Sequence, residues 1–266
     1  MNTNTFAHHQ PTDTQPTDTQ QTDTQQTDTQ PPDTDGNALT LKSVAFFGRA
    51  LDEYMRIFSL TRDHLRGRDV LDAAAGPSSF TAQACALGCD AIALDPSYGL
   101  TVDALAGHVQ IDYAKMFAQL RAKPRLYQLR TFASLNEAEE SRRAASARFL
   151  NDYAAHFVHG RYVGGALPNL PFDEGKFDLV LCGHFLFTYA MLFDYEFHVA
   201  ACRELLRVSR EEVRIHPVSD TAGHVYPHLN ALRADLLRDG IESELITVDH
   251  AFFVGANATL VLRKRK

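Results

Sequence analysis

The sequence contains only four cysteines, and their spacing argues against a metal site built on them. Cys85, Cys89, Cys182 and Cys202 form no Cys-x-x-Cys pair, and no cluster of cysteine and histidine has the spacing of a structural zinc site. We therefore expect no bound metal. The absence of a disulfide pattern also favours a reducing compartment, so a cytoplasmic location is predicted.

Long apolar runs are missing as well. No stretch of the sequence approaches the roughly 18 apolar residues that a membrane-spanning helix needs. The N-terminus has neither the basic flank nor the apolar core of a signal peptide. We therefore expect a protein with no membrane partner.

Positive charge is absent from the first forty residues, which contain six aspartates but neither lysine nor arginine. The rest of the chain carries the other 27 of the 33 acidic residues and all 26 basic ones, so its net charge is near −1. This balance gives no electrostatic reason to expect a nucleic-acid partner. The sequence makes no prediction about the oligomeric state.

The N-terminal segment is a polar repeat. Residues 10–30 repeat a five-residue unit that reads PTDTQ or QTDTQ. Such side chains cannot bury enough apolar surface to offset the entropy lost on ordering. Residues 1–38 are therefore predicted to be a disordered tail, and residues 39–266 a folded domain. A phosphorylated or partner-binding tail is the alternative.

From Leu39 onward, apolar strands alternate with amphipathic helices. Residues 43–60 are predicted to form a helix, and RDVLDAAAG a strand followed by a glycine turn. This alternation is typical of α/β proteins with a doubly wound, mostly parallel sheet. The last two strands are joined by AFFVGAN, which is too short for a crossover helix, so an antiparallel strand is expected near the C-terminus.

A long helical insert is predicted at about residues 100–160, where a single short helix would suffice for the crossover. Its apolar content suggests a cap over the substrate side of a ligand site, formed together with the helix at 48–58. A structural helical layer or a dimer interface is the alternative. The basic residues of the insert, Arg142 among them, are interpreted as a solvated helix face.

Candidate ligand-binding residues follow the first two strands. The first strand ends at Asp72 and leads through Ala-Ala-Ala-Gly into a helix, where Gly76 lets the backbone approach a ligand closely. The second strand ends at Asp95, whose carboxylate could accept hydrogen bonds from ribose hydroxyls. The sequence has no GxGxxG fingerprint and no GxSxG elbow, which argues against a nicotinamide oxidoreductase and a serine hydrolase.

The sequence resembles the S-adenosylmethionine-dependent methyltransferases of the Rossmann-like class (class I) in three motifs that follow one another along the chain. They are the acid and glycine loop at 72–80, the acid that ends the second strand, and the segment LPFDEGKFDLV at 170–180. The resemblance covers residues 65–100 and 160–266 approximately. It implies a Rossmann-like methyltransferase fold and S-adenosylmethionine as the cofactor.

The resemblance also implies roles for individual residues. Eight residues would contact the cofactor. Its methionine part would contact Asp72, Ala73, Gly76 and Pro77, and its ribose would contact Asp95. Its adenine would contact Pro96, and the reacting methyl group would face Cys182 and Gly183. His184 follows directly and is the first candidate for a catalytic general base, with Tyr226 and His216 behind it. A structural buried histidine is an equal alternative for His184.

These observations predict an S-adenosylmethionine-dependent methyltransferase that acts on a small-molecule substrate of unidentified structure. The loop has a single glycine, and Ala166 stands where many members of the family have an acid near the adenine. A catalytically inactive cofactor-binding module of the same fold is therefore the alternative. The polar residues that follow the fifth strand are interpreted as a substrate pocket rather than a metal site; they are His216, Asp220, His224, Tyr226 and His228.

Overall fold

The folded part of the chain is built on a seven-stranded sheet. The computed structural model describes residues 38–249 and 251–265. Within them the strands are β1 (Asp69–Ala73), β2 (Asp90–Asp95), β3 (Tyr162–Gly164), β4 (Phe177–Gly183), β5 (Ser209–His216), β6 (Ile241–Thr247) and β7 (Ala258–Lys264). The repeats at 10–30 lie outside the described residues, so the disorder expected for 1–38 stays a prediction.

The strands lie side by side in the order β3-β2-β1-β4-β5-β7-β6. Pairing is parallel from β3 through β5, and β7 runs antiparallel to both of its neighbours, β5 and β6. This is the predicted Rossmann-like arrangement, a mostly parallel doubly wound sheet with an antiparallel strand near the C-terminus. The strand order reverses between β1 and β4, which is where open α/β sheets bind their ligands.

Six α-helices of the described residues cover the two faces of the sheet or connect its strands. They are α1 (Leu51–Ile57), α2 (Phe80–Ala86), α3 (Val102–Ala122), α4 (Leu135–His156), α5 (Tyr195–Arg207) and α6 (Leu229–Arg238). Three of them begin at a polar side chain that accepts a hydrogen bond from a first-turn amide: Thr101, Ser134 and Asp194. None of these helices is long and apolar enough to cross a membrane.

The core consists of three clusters of buried side chains. One joins β4 and β5 to α5 and α6, a second joins α3 and α4 to the N-terminal segment, and a third joins α1 and α2 to β1. Strands β1 and β4 are buried along almost their whole length because helices lie on both faces. The carboxyl ends of these central strands are therefore held by packing on both sides.

The helix predicted for residues 43–60 is shorter than expected and begins only at Leu51. Residues 41–50 have no regular secondary structure and bend at residues 42–43, because distant side chains accept hydrogen bonds from several of their backbone amides. The amide of Ala45 donates to Tyr189 Oη (3.0 Å) and that of Phe46 to Asp112 Oδ2 (2.8 Å). Tertiary contacts satisfy these donors without a helix, so the amphipathic pattern alone was misleading.

Candidate functional site

A cavity of about 280 Å³ opens at the carboxyl edge of the sheet. Its wall includes residues 74–76 after β1, residues 95–97 at the end of β2, and residues 183–185 at the end of β4. Because β1 lies between β2 and β4, these three segments converge at the reversal of strand order. The volume is close to the lower limit of roughly 300 Å³ for pockets that bind small molecules and cofactors.

Asp95 fixes the loop after β1 to the end of β2. Its Oδ2 accepts a hydrogen bond from the amide of Gly76 (3.0 Å), and its Oδ1 accepts one from the amide of Ser97 (2.9 Å). On the loop's other side, Tyr98 Oη donates to the carbonyl of Gly76 (2.6 Å). Burial raises the pKa of Asp95, while the hydrogen bonds from Ser97 and Gly76 oppose that rise. The site therefore has a buried carboxylate in its wall, held in place by two amides.

The same loop contains a residue in a strained backbone conformation. Ala74 has φ of +55°, in the left-handed region that glycine adopts without penalty, and Gly76 has φ of +56°. Replacing Ala74 with glycine is expected to raise the free energy of unfolding by roughly 1 kcal/mol, because it removes this strain. Urea denaturation of both proteins measures the change.

The neighbouring Ala75→Gly substitution is the matched control for Ala74→Gly. Ala75 is a buried loop alanine whose φ is not positive, so glycine there is expected to lower stability by roughly 0.5–1 kcal/mol. Opposite signs for the two substitutions support the strain at Ala74. Equal losses at both positions would show that Ala74 is not strained.

Asp72 lies behind the cavity wall rather than in it. The side chain is fully buried, and Tyr54 Oη donates to its carboxylate at 3.1 Å. Burial raises the pKa of Asp72 well above its usual range; the hydrogen bond from Tyr54 opposes that rise, and the charge of Asp95 adds to it. Tyr54 itself reaches the wall and stacks on Phe80, with ring centroids 4.5 Å apart. Asp72 thus supports the wall through Tyr54.

The raised pKa of Asp72 predicts a pH dependence of stability. The folded state binds the proton of Asp72 more tightly than the unfolded chain does, so protonation of this carboxyl stabilises the fold. This contribution to the free energy of unfolding is complete below the ordinary pKa of 3.8 and is lost as pH rises through the folded-state pKa. Asp72→Asn removes the titration, so the variant is expected to gain stability relative to the native protein with increasing pH. Denaturant unfolding from about pH 4 to about pH 8 measures this difference. Parallel stability curves would contradict it.

A buried ionic cluster flanks the cavity, and the sequence interpretation did not find it. Glu53 accepts hydrogen bonds from Arg49 Nε (3.0 Å) and from both terminal nitrogens of Arg142, of which Nη2 is at 2.7 Å. All three side chains are buried, and Arg49 lines the cavity. Burial, with the nearby charge of Arg142, lowers the pKa of Arg49. In the sequence, the i, i+4 spacing of Arg49 and Glu53 could have indicated this ion pair.

The basic residues of the insert were interpreted as a solvated helix face, and for Arg142 this interpretation is wrong because its side chain is buried. Its side chain is 1% exposed, and its guanidinium lies against the rings of Phe47 and Phe252, at 5.8 and 5.5 Å from their centroids. Aromatic faces attract guanidinium groups, and the aliphatic stem packs well in a core. The ion pair with Glu53 supplies the partner that a buried charge requires.

The N-terminal segment covers the cavity more than the insert does. Leu41, Val44, Phe46, Phe47 and Arg49 all contribute to the wall, whereas α3 contributes Met116 and Leu120 and α4 is not part of it among the described residues. Gly48 allows the segment to cross the loop after β1, because a Cβ there would lie 2.1 Å from the carbonyl oxygen of Pro77. The cover predicted from the insert is thus formed largely by residues 41–49, with one helix of the insert beside them.

The residues predicted as a site fall into two groups. Five line the cavity: Gly76, Asp95, Pro96, Gly183 and His184. Four others, Asp72, Ala73, Pro77 and Cys182, are buried behind that wall. The structure thus brings residues from the first two motifs and from the end of the strand that begins in the third into a single cavity. The ligand contacts assigned to these nine residues stay predictions.

His184 occupies a strained position at the end of β4. Its φ is +52°, and its amide donates to the carbonyl of His216 at 2.5 Å. The two imidazole rings are 5.1 Å apart, and Nδ1 of His216 lies 2.8 Å from Thr259 Oγ1. A non-glycine residue in the left-handed region costs energy and is often found at functional sites. The strain turns the chain so that His184 lines the cavity next to Gly183.

The polar residues after β5 do not form the predicted substrate pocket. Tyr226 is buried and stacks on His198, with ring centroids 4.5 Å apart, and His224 and His228 are exposed. Of the segment that follows β5, only Thr221 belongs to the cavity wall among the described residues. Tyr226 packs in the core because α5 and α6 supply an apolar surface for its ring.

Comparisons with known proteins show what the chain is similar to. No family model matches it. The uncharacterized protein MJ0045 of Methanocaldococcus jannaschii is 29% identical over 227 residues, which cover 85% of this chain and 99% of that protein. The structure is similar to that of a magnesium protoporphyrin IX methyltransferase from Synechocystis crystallised with S-adenosylmethionine, with a TM-score of 0.41, 16% identity, and coverage of 76% of this chain and 72% of that one.

Two further solved structures have a comparable degree of similarity. One is the 1,6-didemethyltoxoflavin-N1-methyltransferase of Burkholderia thailandensis, with a TM-score of 0.41, 15% identity, and coverage of 76% of this chain and 72% of that one. The other is a putative RNA methyltransferase of Pyrococcus horikoshii, with a TM-score of 0.41, 11% identity, and coverage of 79% and 80%.

Proposed function

We propose that this chain is an S-adenosylmethionine-dependent methyltransferase. The observation that carries the proposal is the position of Asp95. Its carboxylate ends β2, lines the cavity at the reversal of strand order, and holds the glycine loop that follows β1. A buried acceptor at this point suits the two hydroxyls of an adenosine ribose. The structures crystallised with S-adenosylmethionine or S-adenosylhomocysteine are consistent with that cofactor.

The remaining wall residues suit the other parts of such a cofactor. Pro96 and Gly165 offer apolar surface beside Asp95 for an adenine ring. Gly183 lines the cavity at the end of β4, and its missing side chain lets Phe58 pack closely, since a Cβ there would lie 3.3 Å from that ring. Arg49 places a buried guanidinium in the wall, and its carbonyl accepts hydrogen bonds from Ser78 Oγ (2.6 Å) and the amide of Ser79 (2.9 Å) beside the glycine loop. We assign Arg49 to the carboxylate of the methionine part.

When bound, S-adenosylmethionine supplies an activated methyl group. The chain's own residues then position the acceptor and exclude water from the cavity. If the accepting atom carries a proton, His184 is the wall histidine that would receive it; Nδ1 is buried, so Nε2 is the assigned atom.

Calorimetric titration with S-adenosylmethionine and S-adenosylhomocysteine tests the proposal. Saturable one-to-one binding of either ligand is expected. A folded protein that binds neither ligand would overturn it. Methyl transfer to an acceptor then separates a methyltransferase from the inactive binding module, which would bind the cofactor without any turnover.

The assignment of Arg49 makes a prediction that uses two ligands. Arg49→Gln is expected to weaken S-adenosylmethionine binding roughly tenfold or more, since hydrogen bonds to charged groups contribute about 1.5–3 kcal/mol. Binding of methylthioadenosine, which lacks the carboxylate, should be unaffected in the same variant. Calorimetry of both ligands against Arg49→Gln and the exposed control Arg143→Gln measures this. Equal losses for the two ligands would remove Arg49 from the carboxylate site.

A further inference from the structure

One part of the cavity has a distinctly aromatic wall. Nine of the described residues that line the cavity are phenylalanine or tyrosine. We define six of them as the aromatic chamber: Phe47, Phe185, Tyr189, Phe193, Phe197 and Phe252. Their side chains offer ring surfaces to a ligand, and the guanidinium of Arg49 in the same wall lies 5.9 Å from the ring centroid of Phe47.

The rings of the aromatic chamber are held in fixed orientations. Phe193 and Phe197 stack with their centroids 4.2 Å apart and an interplanar angle of 11°, and Phe185 meets Phe193 edge-on at 5.4 Å. Phe47 and Phe252 are fixed by the guanidinium of Arg142. Such walls are preformed, so a ligand that fits them loses little energy to rearrangement of the protein.

One hydroxyl of the cavity wall lacks a hydrogen-bond partner among the described residues. Thr188 lies in the turn between Phe185 and Phe193 and lines the cavity; it is 8% exposed, and its buried Oγ1 has no hydrogen bond within the part of the chain that the structure describes. The other nearby hydroxyls are engaged. Tyr189 Oη accepts a hydrogen bond from the amide of Ala45, and Thr221 Oγ1 accepts one from the amide of Leu39. A buried hydroxyl is costly unless something bonds to it, so a ligand atom is the natural partner for Thr188.

We infer that the methyl acceptor is a small planar aromatic compound with a hydroxyl or another neutral hydrogen-bonding group, which bonds to Thr188 while its ring packs in the aromatic chamber. The inference rests on the proposed function, since it gives the substrate class of that same site. The aromatic walls disfavour strongly charged or extended polar acceptors, because aromatic rings do not replace the water that such groups would lose. Offset or edge-on contact with the fixed phenylalanine rings favours a flat ring over an aliphatic one.

Three probes of related structure separate the parts of this inference. 2-Naphthol is a planar aromatic compound with a hydroxyl, naphthalene lacks the hydroxyl, and decahydro-2-naphthol keeps both rings and the hydroxyl but is saturated and not planar. Binding of each to the full chain, saturated with S-adenosylhomocysteine, is followed by calorimetry. 2-Naphthol is expected to bind more tightly than either of the others. Decahydro-2-naphthol binding as tightly as 2-naphthol would overturn the inference.

Thr188→Val removes the hydroxyl and keeps the shape of the side chain. It is expected to weaken 2-naphthol binding roughly three- to tenfold, the range for one neutral hydrogen bond, and to leave naphthalene binding unchanged. Thr81→Val is the matched control, because Thr81 is also buried with an unpartnered Oγ1 but lies on α2 outside the cavity wall. An equal effect of the two substitutions, or no effect of Thr188→Val, would overturn the role of Thr188.

Cofactor titrations of the same samples keep the two proposals distinguishable. S-adenosylmethionine binding without discrimination among the three probes overturns the inferred acceptor class and leaves the proposed function standing. Discrimination among the probes without any cofactor binding overturns the proposed function, while the aromatic ligand class of the chamber remains supported.

Discussion

Replacing Glu53 with alanine is expected to lower the free energy of unfolding by about 3–5 kcal/mol. The carboxylate of Glu53 is shared by Arg49 and Arg142, and all three side chains are buried. Its removal leaves two guanidiniums together in the interior without their shared counter-charge. Because water cannot solvate them there, the loss includes the desolvation of both cations as well as the missing hydrogen bonds.

A similar arrangement on the surface provides the control for Glu53→Ala. Glu139 also lies between two arginines, Arg121 and Arg143, but those side chains are 52% and 45% exposed. Glu139→Ala is expected to cost less than about 1 kcal/mol, since water replaces the lost partner. Urea denaturation of both variants measures the difference. Equal costs for the two substitutions would show that the Glu53 cluster is solvated in the folded protein.

A consequence for the site follows from the Glu53 cluster. Arg49 lines the cavity, and Glu53 restrains its Nε, so the orientation of the guanidinium is set by the cluster. Arg142 links this cluster to Phe47 and Phe252 of the aromatic chamber. The proposed cofactor subsite and the proposed acceptor subsite therefore share one rigid support.

Much of the fold could be predicted because its signals are local. The apolar runs VLDA and FDLVLC form β1 and β4, and the short connection AFFVGAN correctly indicated the antiparallel pairing of β6 and β7. The convergence of Gly76 and Asp95 also followed from the sequence, because the carboxyl ends of parallel strands meet at one edge of the sheet. These features depend on periodicity and strand direction, which a single sequence carries.

The errors occurred where distant residues decide the local structure. Residues 43–50 have a helical pattern, but the side chains of Asp112, Tyr113 and Tyr189 capture their amides. The burial of Arg142 depends on Glu53, 89 residues away in the sequence. The cavity cover is built from such long-range pairs, and of the ionic cluster only the i, i+4 pair of Arg49 and Glu53 was visible in a local window of the sequence.

Replacing Asp95 with alanine is expected to weaken S-adenosylmethionine binding by about 1–3 kcal/mol, or roughly five- to 150-fold, because the proposed ribose hydrogen bonds involve a charged acceptor. The raised pKa of Asp95 implies that affinity falls on acidification at a higher pH than for an ordinary aspartate. Calorimetry at several pH values measures both effects. The variant should lose the pH dependence together with the affinity.

The loop contact of Asp95 requires two controls in that experiment. Asp95 also accepts hydrogen bonds from the amides of Gly76 and Ser97, so Asp95→Ala could act by loosening the loop. Asp95→Asn keeps one side-chain acceptor and should retain more of the stability than of the affinity. Asp90→Ala changes an exposed aspartate at the opposite end of β2 and should leave binding unchanged. If a folded Asp95→Ala protein binds S-adenosylmethionine as tightly as the native chain, Asp95 does not contact the ribose, and the observation that carries the proposed function is lost.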